Sequence, residues 1–174
     1  MVTLPPWSPR QWVNQLVTLY HGTDDRSAAS ILDVGVRSAT FRVNRDFGPG
    51  FYTTTVERQA FTWAWLRSQG IPGTQPAVIQ FDVDRDRVGQ LQNLWFVRGS
   101  FDAEDYWSLV FQCRQGGNHR PLGATPWYDV VIGPVALDWI QRLQMPDGDQ
   151  VSFHTDAAVT LLNSSKHRRV RDGR

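Results

Sequence analysis

Residues 127–136, WYDVVIGPVA, most narrow the folds open to this chain. The run is nearly all apolar and rich in β-branched residues, so it reads as a strand in the middle of a sheet. Further strands are predicted at VTLYHGT (17–23), GFYTTT (50–55), AVIQFDVDR (77–85) and DQVSFHT (149–155). Each is rich in β formers or alternates apolar with polar residues. Between them lie segments of helical period. DDRSAASILDVGV (24–36) opens on cap-type residues and stops at Gly35. VERQAFTWAWLRSQ (56–69) places Val56, Ala60, Trp63 and Leu66 on one predicted face. DAEDYWSLVFQCRQGG (102–117) has acids in its first turn, Arg114 near its end, and Trp107, Val110 and Phe111 as its predicted buried side. Shorter helices are expected at SPRQWVNQLV (8–17), ALDWIQRLQ (136–144) and DAAVTLLNSS (156–165).

Strands and helices are interspersed without strict β-α-β alternation. The predicted fold class is therefore α+β, built on a mainly antiparallel sheet with flanking helices. With 174 residues and no linker or repeat, one domain spanning 1–174 is expected. Residues 1–16 form a lead-in, and 165–174 a basic, flexible tail.

The bulk numbers exclude some function classes. A net charge of +1 gives no global field favouring nucleic acid or membrane. No apolar run approaches the roughly 20 residues a membrane span needs. The start lacks the pattern of a signal peptide, and the one cysteine, Cys113, cannot pair within the chain. A reducing, cytoplasmic setting and no membrane partner are expected. No His/Cys cluster has metal spacing, so no metal is predicted, and no Gly-x-Gly-x-x-Gly follows a strand.

Three segments can carry chemistry. LYHGT (19–23) reads first as a strand closed by a glycine turn, with His21 bonded to backbone; the other reading is that His21 bonds a sugar hydroxyl at a cleft edge. Gly22, without a Cβ, can offer its N–H and C=O side by side to a carboxamide. DFGPGFYTTT (46–55) can be a hairpin corner with positive φ at Gly48 and Gly50. The other reading is a ligand wall: Gly50 allows close approach, Tyr52 presents a ring face, and Phe47 closes the rim. DQVSFHT (149–155) can be an ordinary edge strand, or can place Gln150 at a cleft. Arg45 and Arg114 are either solvated cations or diphosphate contacts. His154 reads as structural.

YHGT followed by FGPGFYTTT and an aromatic helix resembles the ADP-ribosyltransferase fold of the His-Tyr-Glu type, to which poly-ADP-ribose polymerases and diphtheria-like toxins belong. More closely, the chain resembles the bacterial DUF3990 family. The shared features are the YHG start, DFGPGFYTT, Gln59–Ala64 (QAFTWA), the Trp107-to-Arg114 helix, Tyr128–Ala136, and Gln150–Thr155 (QVSFHT). They run from residue 19 to about 162.

The resemblance implies a split sheet that binds NAD⁺ as substrate. His21, Tyr52 and Gln150 would be the catalytic set. Tyr20, His21, Gly22, Thr23, Arg45, Phe47, Gly50, Phe51, Tyr52, Thr53, Phe61, Trp63 and Arg114 would form the cofactor-binding set. His21 would hold the adenine-side ribose, Gly22 the carboxamide and Tyr52 the nicotinamide ring. Thr53 also lies within reach of the carboxamide, and either Trp63 or Phe61 would form the opposite wall. The implied function is a mono-ADP-ribosyltransferase, a toxin of a toxin–antitoxin or conflict system, with a protein or nucleic-acid acceptor and a cognate antitoxin.

This chain departs from the family pattern at Gln150, where a glutamate is usual. Asp149 would point to the other sheet face. Asp46, Asp102, Glu104 and Asp105 are the acids that could reach in instead. An NAD⁺ glycohydrolase, and a binding module that a Gln150→Glu change would reactivate, are the alternatives. An RNA 2′-phosphotransferase fits less well with near-neutral charge and one domain.

Overall fold

The computed structural model describes residues 15–42, 44–99, 103–120 and 125–170. The helix expected over 8–17 falls mostly outside them, and residues 15 and 16 within them are not helical. The strands are β1 (Leu16–Asp24), β2 (Phe51–Thr53), β3 (Pro76–Asp84), β4 (Asn93–Trp95), β5 (Val130–Asp138), β6 (Leu143–Phe153) and β7 (Lys166–Val170). The helices are α1 (Asp25–Val34), α2 (Glu57–Gln69), α3 (Arg85–Gly89), α4 (Ala103–Arg114) and α5 (Asp156–Ser164).

The class is α+β, with two sheets. One is antiparallel in the order β1-β3-β7; the other runs β2-β6-β5-β4, antiparallel except for the parallel β4–β5 pair. As its apolar run requires, β5 is an interior strand. Side-chain alternation divides the core accordingly. Ile79, Phe81, Val130, Val151 and Phe153 face one cluster with Leu19, Phe51 and α5. Val131 faces a second cluster with α4, and Val78 a third with α2.

Three elements differ from expectation for identifiable reasons. Residues 139–142 make a turn, not a helix. The Asp138 carboxylate accepts the Ile140 and Gln141 N–H groups, both at 2.9 Å, so β5 folds back into β6. The basic end is not a loose tail over 166–170: it is β7, paired with Val78–Asp82 of β3. β4 is three residues long, too short for an alternation signal.

The helices cover the sheets with different faces than predicted. α2 buries its small residues, Ala60, Ala64 and Ser68, and leaves Trp63 and Leu66 about half exposed. The reason is Gly22. A Cβ there would lie 2.0 Å from the Ala60 carbonyl oxygen, so helix and strand are packed backbone to backbone. Gly22→Ala is expected to cost about 3 kcal/mol, at the upper end of the overpacking range. Urea unfolding measures it; a loss below about 0.5 kcal/mol, the scale of a surface substitution, would contradict the packing. On α4, Tyr106, Leu109 and Cys113 join Trp107 and Val110 inside, while Phe111 is exposed against Trp139.

Candidate functional site

The two sheets meet at their edges. Tyr20 of β1 and Thr54, just after β2, exchange both backbone hydrogen bonds, at 2.8 and 2.9 Å. In an antiparallel ladder the backbone groups of alternate residues point the same way. Since Tyr20 points its N–H and C=O away from β3, Gly22 points its own pair to that side too. Beyond the bridge the strands diverge, and there a cleft of about 740 Å³ opens.

Its lining brings most of the sequence-predicted residues together. Tyr20, His21, Gly22, Thr23, Arg45, Gly50, Phe51, Tyr52, Thr53, Trp63, Arg114 and Gln150 all contribute. Phe47 does not close a rim: it is fully buried between Phe96 and Tyr106. Phe61 packs on the Ala60–Ala64–Val78 cluster, so Trp63 is the α2 aromatic of the cleft. No motif or periodic pattern marks the α1 wall, or Arg37, Phe41 and Arg42 on the strap that follows it, which also line the cleft.

His21 is fixed. Its Nδ1 donates to the Tyr52 carbonyl at 2.7 Å, and its ring stacks on Phe51 with centroids 4.2 Å apart. Desolvation pushes the imidazole down to about 4, so it is neutral at pH 7, with Nε2 an acceptor. Tyr52 is fixed differently. Its hydroxyl donates to the Gly48 carbonyl at 2.6 Å and accepts the Phe47 N–H at 3.0 Å. Burial pushes this phenol well above its usual range, so Tyr52 offers a ring, not a proton.

The glycine-rich segment is set from behind. His119 donates Nε2–H to the Phe47 carbonyl at 2.8 Å, its Nδ1 being occupied by the Tyr128 N–H. His154 donates Nδ1–H to the Pro49 carbonyl at 2.7 Å. Desolvation lowers these imidazoles to about 4 and about 3. Gly50 therefore makes room for protein, not ligand: a Cβ would sit 2.7 Å from His154 Nδ1. Gly48 has φ +76° and faces Trp127. Residues 46–50 are therefore a turn leading into β2 and not a hairpin corner: among the described residues no strand precedes them to pair with β2, and of the two glycines Gly48 alone has positive φ; Asp46 and Gly50 line the cleft.

Two expected contacts are occupied within the protein. The Thr53 hydroxyl donates to the Val151 carbonyl at 2.8 Å. The Arg114 guanidinium donates to Asp46 Oδ1 from Nε at 2.9 Å and to the Asn44 carbonyl at 3.2 Å, so it is not a free diphosphate contact.

Gln150 is buried beside that pair and donates both amide hydrogens, to Asp46 Oδ2 and to the Pro134 carbonyl, each at 2.9 Å. Asp46 Oδ2 also takes the Ala136 N–H at 3.0 Å. Of the acids named as replacements for a glutamate, Asp46 lines the cleft but has donors on both oxygens. Glu104 pairs with Arg142, Asp105 is exposed on α4, and Asp102 lies outside the described residues. Asp149 points away, as alternation requires, and binds Thr54 and Thr55. Among the described residues, no group of three or more His, Cys, Asp or Glu could hold a metal ion.

The cleft is strongly basic for a chain of net charge +1. Five arginines line it, Arg37, Arg42, Arg45, Arg67 and Arg114, against the single carboxylate of Asp46. Arg67 is paired with Asp24 and Arg114 with Asp46. The side chains of Arg37, Arg42 and Arg45 have no ion-pair partner among the described residues. Such a cleft focuses positive potential.

The fold and site together define an α+β domain with a basic, aromatic cleft at the seam of two sheets. A family model, described as a protein of unknown function (DUF3990), matches residues 17–145. The chain belongs to this family. No curated protein matches it. Among the described residues, no helix is long and apolar enough to cross a membrane.

Proposed function

We propose that the protein is a mono-ADP-ribosyltransferase of the toxin-like kind, cleaving NAD⁺ and passing ADP-ribose to a protein or nucleic-acid acceptor. The observation that carries this reading is the convergence of His21 Nε2, the outward backbone pair of Gly22, the Tyr52 ring and Gln150 in one cleft. Each group suits one part of the dinucleotide. An acceptor nitrogen takes a ribose hydroxyl. A parallel donor and acceptor take a carboxamide. A ring with its hydroxyl tied back presents a flat face to a pyridinium, and Trp63 lines the same cleft. Arg37, Arg42 and Arg45, without an ion-pair partner among the described residues, supply charge for a diphosphate.

Nicotinamide leaves as a neutral base, so the step needs no general acid. The site's task is to hold the dinucleotide bent and to stabilise oxocarbenium character at the anomeric carbon. Gln150 contributes an acceptor without charge. This favours, as second reading, a slow glycohydrolase or an ADP-ribose-binding module on the same cleft.

Purified protein titrated with NAD⁺ tests the first step, and release of nicotinamide with an ADP-ribose mass shift on a target tests the second. His21→Ala and Tyr52→Ala are each expected to weaken NAD⁺ binding by about 10- to 100-fold, the worth of a buried hydrogen bond or a stacked ring. Tyr52→Phe, which keeps the ring, retains most of the affinity. Full binding by Tyr52→Ala would refute the stacking role. Turnover without an adduct identifies the glycohydrolase, and binding without turnover the module.

A further inference from the structure

The Gln150 amide is held in one orientation by its surroundings. Both contacts of Nε2, the Asp46 carboxylate and the Pro134 carbonyl, can only accept. Turning the amide over would set Oε1 against two acceptors. Asp46 is in turn immobilised: Arg114 Nε holds Oδ1 at 2.9 Å with a second guanidinium nitrogen beside it, and the Ala136 N–H holds Oδ2 at 3.0 Å. No hydrogen bond reaches Gln150 Oε1 among the described residues, and Gln150 lines the cleft.

We propose that Asp46, braced by Arg114, is a positioning residue that makes position 150 a pure hydrogen-bond acceptor, selecting a hydroxyl donor on the bound ligand. On the NAD⁺ reading, on which the ligand assignment rests, that donor is a hydroxyl of the nicotinamide ribose. The charge of Asp46 acts through the amide and never touches the ligand. Neither residue takes a proton from an acceptor, so the acceptor group must already be a competent nucleophile.

Two measurements separate this proposal from the NAD⁺ reading. In the ligand-free protein, the Gln150 side-chain amide is followed by ¹⁵N NMR, assigned by its loss in Gln150→Met. Both hydrogens are expected to exchange at least about 10-fold more slowly than those of the exposed Gln90, because both are bonded and buried. Exchange as fast as that of Gln90 overturns the proposal, whatever binds.

The second compares NAD⁺ with its analogue carrying 2′-fluorine in place of the 2′-hydroxyl on the nicotinamide ribose. The wild type is expected to prefer the hydroxyl by about 10-fold, one hydrogen bond's worth. In Asp46→Asn, whose amide can donate to Oε1 and turn Gln150 over, the preference falls to about 2-fold or less. A merely structural role lowers both affinities together and leaves their ratio unchanged; an unchanged ratio overturns the proposal. If Asp46→Asn does not fold, Arg114→Lys, which keeps the carboxylate but braces it with a single nitrogen, is compared in the same way and lowers the ratio less. If neither dinucleotide binds the wild type while the amide hydrogens stay protected, the NAD⁺ reading fails and the amide orientation stands.

Discussion

Folding stability falls steeply as pH drops from about 6.5 toward 4.5, the ordinary imidazole pKa marking the upper edge. His21, His119 and His154 are neutral in the folded protein, pushed down to about 4, 4 and 3 chiefly by desolvation. Each donates a ring N–H to a carbonyl of residues 47–52. In the unfolded chain the same rings take up a proton near pH 6.5, so the unfolded state binds more protons throughout this window. A depressed folded pKa means that the stability is fully present above the unfolded pKa and is lost as pH falls toward the folded one.

Each group contributes up to about 1.4 kcal/mol per pH unit, and the three together about 4. Against a typical total of 5–15 kcal/mol, an acid midpoint near pH 5 is expected. Urea midpoints across pH 5–8 measure the slope. His119→Gln, which keeps a donor close to Nε2, is expected to reduce it by about a third. A stability unchanged between pH 7 and 5 would refute the clamp. Asp24, whose carboxyl is held low against its own burial chiefly by bonds from Ser27, adds a loss only below the histidine window.

Gln150→Glu is expected to destabilise, not to restore a missing catalytic acid. The substitution replaces two donated hydrogens by oxygen lone pairs facing Asp46 Oδ2 and the Pro134 carbonyl, both at 2.9 Å in a buried setting. An unpaired buried charge of this kind costs about 3–5 kcal/mol. The neighbouring carboxylate and burial raise the new group's folded pKa above its unfolded value of about 4.3. The charge part of the penalty is therefore absent below that pH and grows as pH rises; the protonated acid still offers one hydrogen where the amide gives two. Thermal unfolding at pH 6 and pH 8, compared with wild type, shows the growing deficit; equal melting at pH 8 would show that the Asp46 contact is absent in solution. A glutamate at 150 meets the aspartate 104 residues away in sequence that already occupies the amide's donors, so gain of activity in this variant requires that contact to break.

How much could be read from the sequence follows from the range of the forces concerned. The Asp24 cap on α1, the Gly35 stop, the alternation of β3 and the apolar run of β5 are local or depend on burial alone, and all appear as predicted. The cleft was legible because its parts sit on strands that could be read from their β-rich runs: His21 and Gly22 on β1, Tyr52 on β2, Gln150 on β6. The reasons for individual residues were not. Gly22 answers to Ala60, Gly50 to His154, and Arg114 to Asp46, each across tens of residues. β7 was hidden because KHRRV carries charge where a strand usually carries apolar residues; it lies on a sheet edge, where water accepts them. Val36 and Phe41 hold the strap to the core without any periodic pattern.

The Tyr20–Thr54 pair has a mechanical meaning. It is the spine at which two leaves of sheet are sewn together, and the cleft is the gutter beside it. A molecule bonded to the Gly22 backbone on one leaf and to Tyr52 on the other adds stitches along that spine. Occupancy is then felt as stiffness at the seam, far from any charge.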